Sequence, residues 1–399
     1  MRLPVRLGFF LAMVSGLFSC LGQSQAATTD HRQNAVKLQE SGRYAEAADE
    51  WRIYLKSHPG SAEANADLGL VEARQEHYKE AIPLYRKALA LDPHMSGIQL
   101  NLGLAYFKTA AMNEAIATLS PLLKSLPADS PDRMRVSTLI GLAHYSVGEY
   151  AAAIPYLKTA ANADPQNILY RFSLAQSCLN TKQYQCVLDA YQELLKLNAE
   201  SAAADMLAGE AYDEMKNSAG AIEQFRAATK ADPKWPNAHF GLGYLLWTQN
   251  QCEEASKEFQ AELDVVPENA RAMTLLADCK VQLGQSDDAL PLLEKALKID
   301  PSIARAHMNL GVIYQEQGRQ QDALRELTTA VQLMPQDSNI HWRLARLYQA
   351  MGRKEEAKIE FEKTSSLKKA ESESITSELK AAQERGGSTG ALPAAAQSK

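Results

Sequence analysis

Histidine exchanges its proton nearest neutral pH and is the commonest metal ligand, and four of the eight histidines here keep a common beat. His239, His307 and His341 stand 68 and 34 residues apart, and His31 occupies the equivalent place near the N-terminus. Metal binding would require a second ligand one helical turn away, or a paired Cys-x-x-Cys. Neither His307 nor His341 has such a neighbour, so half-buried packing positions are the expected role. No metal site and no cofactor is assigned. No Gly-rich phosphate loop and no His-Glu-x-x-His occurs either. The chain is therefore read as non-enzymatic, without catalytic residues or a small-molecule substrate.

The beat belongs to the elements that carry these residues. Pro59, Pro93, Pro127 and Pro165 are followed by Pro233, Pro267, Pro301 and Pro335, at gaps of 34, 34, 38, 68, 34, 34 and 34. The 38 reflects an insertion, Ser130 to Arg133, and the 68 spans a repeat that lacks its proline. A second column runs through Ala47, Ala81, Ala115, Ala153, Val187, Ala221, Ala255, Ala289, Ala323 and Ala357. A third, upstream, holds only Gly or Ala, from Ala35 and Gly69 to Gly311 and Ala345. Two small columns of this kind let two helices approach closely, and Pro ends the second because it cannot join the helical ladder. Gly42, Gly148, Gly284, Gly318 and Gly352 lie between the two helices, where a left-handed residue closes the turn. Acids such as Glu46, Glu80 and Glu254 precede the Ala column and suit the positive end of the second helix.

Leu310-Gly311-Val312-Ile313-Tyr314, followed by Ala323, Leu327, Ala330 and Pro335, resembles the tetratricopeptide repeat pattern. Leu242, Gly243, Ala255, Phe259 and Pro267 repeat it. Ten copies fit, starting at 28, 62, 96, 134, 168, 202, 236, 270, 304 and 338. The resemblance implies an all-α, right-handed α-solenoid of helical hairpins, each burying its apolar face only against a neighbour. Repeats 1–3 occupy 28–129 and repeats 4–10 occupy 134–367, with hinges expected at the insertion and at repeat 5. A charged helix over 368–385 is expected to cap the last repeat, and 386–399 reads as a disordered tail.

In this family the first helix of each hairpin, helix A, lines the concave face. Its groove positions carry over to Leu100, Leu104, Phe107, Leu142, Tyr145, Phe172, Met206, Phe240, Tyr244 and Trp247. Further on they carry over to Arg271, Arg305, Arg343 and Arg346, beside Asn309 and Trp342. The implied partners are proteins or peptides with apolar or aromatic residues and an acidic portion. The carboxylate clamp of some members does not transfer, because Thr274 and Asp278 stand where Lys and Asn are needed.

Among the cysteines, the columns favour a Cys252–Cys279 disulfide, joining repeat 7 to repeat 8. Cys178 and Cys186 flank one turn but fall in columns of opposite exposure, which ranks that pairing lower. Arg2, Arg6, the apolar run Leu7 to Ser19 and Ser24-Gln25-Ala26 have the layout of a signal peptide over residues 1–26. Leu17-Phe18-Ser19-Cys20 also resembles a lipobox, in which Cys20 would carry lipid. The expected location is exported, either periplasmic or secreted, or lipid-anchored, with no membrane contact beyond signal or anchor. Net charge is −6, or −8 without Arg2 and Arg6, and no basic block marks nucleic-acid binding. The function expected is a cell-envelope scaffold, in secretion, pilus or envelope assembly. The alternative is a non-catalytic subunit of an envelope enzyme complex.

Overall fold

The computed structural model describes residues 31–198 and 200–386. The signal segment, Cys20 and the tail beyond Gly386 lie outside them. The chain divides into two compact units at Ala199–Glu200, at the end of repeat 5. In the first unit, α1 (31–40) pairs with α2 (Tyr44–Ser57), α3 (Ala62–Arg74) with α4 (Tyr78–Leu91), and α5 (Ser96–Lys108) with α6 (Met112–Ser125). Next come α7 (Pro131–Ser146) with α8 (Tyr150–Ala163), and α9 (Ile168–Asn180) with α10 (Tyr184–Leu197). The second unit pairs α11 (Ala202–Glu214) with α12 (Ser218–Ala231), α13 (Ala238–Thr248) with α14 (Cys252–Val265), and α15 (Ala270–Gln282) with α16 (Ser286–Ile299). It ends with α17 (Ala304–Glu316) and α18 (Gln320–Leu333), then α19 (Ser338–Ala350) and α20 (Lys354–Gly386). Among the described residues no helix is long and apolar enough to cross a membrane.

Helix A begins at the expected residue in seven repeats and departs in two. At the insertion, Ser130 caps α7, Pro131 occupies its first turn and Arg133 Nη1 donates to the carbonyls of Leu123 and Leu126. The extra residues thus lengthen a helix and tie it to the end of α6, inside the first unit rather than at a boundary. In the seventh repeat the start slips from 236 to Ala238, because Asn237 is left-handed, with φ 64°. The segment 368–385 is helical as expected, but the boundary at 367 is corrected. The proline slot at the end of repeat 10 holds Lys369, so α20 runs on without a break, and residues 368–374 are exposed.

The small columns meet as the spacing predicts. A Cβ placed on Gly243 would stand 2.9 Å from Phe259 Cε1, and one on Gly311 would stand 2.6 Å from Leu327 Cγ. The turn between helices A and B is one motif throughout. In the ninth repeat, Gly318 N donates to Gln315 O at 3.0 Å and Arg319 N to Tyr314 O at 2.8 Å. The residue at the Gly318 position is left-handed in all ten hairpins, but in five it is not glycine: Glu76, Ala110, Lys182, Lys216 and Asn250. A side chain there costs about 1 kcal/mol, partly offset by the smaller entropy of the unfolded chain. Ala110→Gly and Lys216→Gly are each expected to stabilise by about 0.5 kcal/mol and to add in the double variant. Urea midpoints at constant slope would check this.

Candidate functional site: the A-helix face of the second unit

In the second unit α13, α15, α17 and α19 lie side by side, and their side chains build one continuous surface. Phe240 and Tyr244 stack with centroids 6.4 Å apart, and Tyr244 lies 5.8 Å from Trp247. Tyr244 is 38% exposed, whereas Phe240 and Trp247 are half-buried and pack on the core. Arg271 sits over the Phe240 ring at 5.2 Å, Arg305 over Trp247 at 4.7 Å, and Arg346 over Trp342 at 5.3 Å. Such contacts pre-position a guanidinium without neutralising it.

Asp278 organises the middle of this surface. It is buried, and its Oδ2 accepts from Trp247 Nε1 at 2.8 Å and from Gln282 Nε2 at 2.9 Å. Oδ1 accepts from Asn309 Nδ2 at 2.9 Å, with Arg305 Nη1 at 3.8 Å. The acid that disqualified the clamp therefore ties three helices together, and it occupies Trp247 and Arg305 internally. Arg271, Arg343 and Arg346 make no salt bridge among the described residues. Burial holds the Arg343 guanidinium below its ordinary value, and its Nε is buried without a partner. Arg343 is thus the group on this face with most to gain from an incoming acceptor.

Other predicted groove residues divide by burial. Leu100 and Met206 are 8% and 9% exposed and belong to the core, which corrects their assignment to a surface. They face neighbouring helices that close over them. In the first unit Leu104, Phe107, Leu142, Tyr145 and Phe172 are half-buried.

The recurrent histidines have partners that column reasoning missed. His31, His239, His307 and His341 each meet a glutamate 19 residues on: Glu50, Glu258, Glu326 and Glu360. That constant offset was available in the sequence. His307 Nδ1 lies 2.8 Å from Glu326 Oε2, and its Nε2 is 3.1 Å from the Pro301 carbonyl. Both are acceptors, so the imidazolium satisfies both. The hydrogen bond to Glu326 raises the His307 pKa against the opposing effect of burial, and the same bond lowers that of Glu326. The stabilisation from His307 is complete below its unfolded value of about 6.5 and is lost as pH rises through the higher folded value. That from Glu326 is present above its unfolded value and is lost as pH falls through its depressed one. As pH rises from 6 to 9 the second unit is expected to lose stability from this pair, by an amount reduced by partial solvent access. His307→Gln should flatten that part of the urea midpoint profile. Among the described residues no group of three or more metal-ligating side chains occurs.

The disulfide is a correction. Cys178 and Cys186 are bonded, with Cα atoms 5.9 Å apart across the α9–α10 turn. Cys252 and Cys279 are free and buried. Cys252 Sγ instead donates to Gln282 Oε1 at 3.3 Å. Burial first, then contact with Cys252, raises the Cys279 pKa, which keeps it a thiol rather than the thiolate that oxidation requires.

Comparison with known proteins agrees with this architecture. Models described as tetratricopeptide repeat match residues 34–96, 72–133, 138–185 and 188–236. A model described as the C-terminal ARM domain of tetratricopeptide repeat protein 21 matches 221–358. Small glutamine-rich tetratricopeptide repeat-containing protein 2 of Mycosarcoma maydis is 28% identical over 111 residues, which is 28% of this chain and 32% of that protein. Protein CTR9 homolog of Arabidopsis thaliana is 23% identical over 280 residues, 65% of this chain and 24% of that protein. The chain thus spans a third or less of the length of these curated relatives. Among solved structures, MamA MSR-1 is 27% identical with a TM-score of 0.38, over 43% of this chain and 96% of that one. With these family models matching along most of its length, the chain belongs to the tetratricopeptide repeat family.

Proposed function

We propose that the protein is a non-enzymatic scaffold that holds extended segments of partner proteins on the A-helix face of its second unit. The observation that carries this reading is the combination of exposed Tyr244 with Arg271, Arg343 and Arg346, which form no salt bridge among the described residues. An extended segment with an apolar or aromatic residue for Tyr244 and acids for the guanidinia complements it. The signal-like N-terminus supports an exported or lipid-anchored location, and hence a role in envelope assembly, secretion or pilus formation. Incorporating a photo-crosslinking phenylalanine analogue at Tyr244 tests the reading in the native host. It should yield discrete adducts with other polypeptides, and these should fade when Arg271→Glu is added. Absence of adducts at Tyr244, with adducts formed from exposed helix-B positions, would move binding off this face.

A further inference from the structure

Among the described residues, the C-terminal end of the second unit lacks the cover that a following helix A gives its inner hairpins. At inner hairpins the fifth residue of helix A lies under the next helix A: Asn339 Nδ2 of α19 is 3.7 Å from Met308 Sδ, and Arg271 of α15 lies over Phe240. The central apolar residue of helix B is covered in the same way, since a Cβ on Gly241 of α13 would stand 3.3 Å from the Phe225 ring. Met308 is accordingly 3% exposed, and Phe225, Phe259, Leu293 and Leu327 are buried. Among the described residues no helix follows α20. Trp342, the equivalent of Met308, is 38% exposed, and Phe361, the equivalent of those four, is half-exposed.

Beside this uncovered pair stands the exposed Arg346, with Asp337 and Glu371 further along the same end. A cleft of about 290 Å³ is lined by Trp342, Arg343 and Arg346 together with Val312, Gln315 and Glu316. The acid in it, Glu316, accepts from Ser286 Oγ at 2.7 Å, and its charge acts on Arg343. A second cleft, of about 710 Å³, runs between the 334–339 loop and Leu367, Ala370 and Glu371 of α20.

We propose that this end docks an acidic amphipathic helix of a partner protein, seated where an eleventh helix A would lie. A helix fits because a helix A covers the same two positions at the inner hairpins. Its apolar stripe would bury Trp342 and Phe361, and a carboxylate would lie toward Arg346, as Asn309 of one helix A meets Asp278 of the preceding one, and away from Glu371. The face shares Arg346 with the surface proposed above but not Tyr244, so the two readings separate experimentally.

The test uses the full chain and a hydrocarbon-stapled, fluorescein-labelled helical peptide of residues 201–216. Between 202 and 214 this helix A carries four acids and no base. Anisotropy titration should show saturable binding, weakened at least tenfold by Trp342→Asp and by Arg346→Glu and changed less than twofold by Tyr244→Ala. A peptide with its four acids replaced by their amides should bind at least tenfold more weakly. Circular dichroism would confirm that the variants stay folded, and the exposed Arg346 provides a second route if Trp342→Asp does not. No binding to the unaltered chain, or binding indifferent to both substitutions, overturns the proposal. Loss of binding on Tyr244→Ala alone also overturns it, while leaving the A-helix face as the binding surface.

Discussion

Replacing Glu262 with alanine is expected to destabilise the second unit by about 3 kcal/mol, seen as a lower urea midpoint for that unit. Glu262 is fully buried in α14. Its carboxylate accepts from the backbone N–H of Asn237 at 3.3 Å, from that of Phe240 at 3.2 Å and from Asn269 Nδ2 at 3.3 Å. It does from a neighbouring helix what a capping side chain does elsewhere, because Asn237 is left-handed and caps nothing with its own side chain. The negative group also faces the positive end of α13. Removal takes the acceptor from the N–H groups of Asn237 and Phe240, whereas Glu262→Gln keeps one carbonyl oxygen and should cost about half as much. An alanine variant as stable as the unaltered chain would refute this role.

Phe259→Ala carries the second large effect, about 4 kcal/mol, since the ring is fully buried and its removal leaves a cavity. The ring also supports Phe240, 6.0 Å away, and therefore the binding face itself. Gly243→Leu should cost about 2 kcal/mol by overpacking, because its Cβ would meet that same ring at 2.9 Å. The double variant should be more stable than the sum of the two losses by at least about 1 kcal/mol, as the new side chain enters the vacated space. Additive losses would mean that the two columns do not share that space.

The columns that predict this fold are legible because one contact recurs in every hairpin, so any column confined to Gly and Ala marks a close approach. Local departures are legible only in part. Glu262 stands in a column that reads Ala228, Ala296 and Ala330 in neighbouring repeats, and a lone acid among alanines was a visible signal. Its purpose was not visible, because it depends on how Pro236-Asn237 delays the start of α13. Asp278 shows the same limit. Composition marks it as a departure from one ligand-binding pattern, but its ties to Trp247, Gln282 and Asn309 span two neighbouring helices. That 368–385 continues helix B instead of starting a new helix follows from one residue, since Lys369 in place of proline lets α20 run on. The cysteines failed for a different reason: exposure columns rank burial, whereas a disulfide depends on the approach of two Cα atoms across a turn.

Selection of random linear peptides on the immobilised full chain measures the binding face most directly. Enriched sequences should pair aromatic or large apolar residues with Asp or Glu, and the enrichment should collapse on Tyr244→Ala combined with Arg271→Glu, at an unchanged melting temperature. Enrichment of the same sequences by that variant, or none by the unaltered chain, would contradict the account.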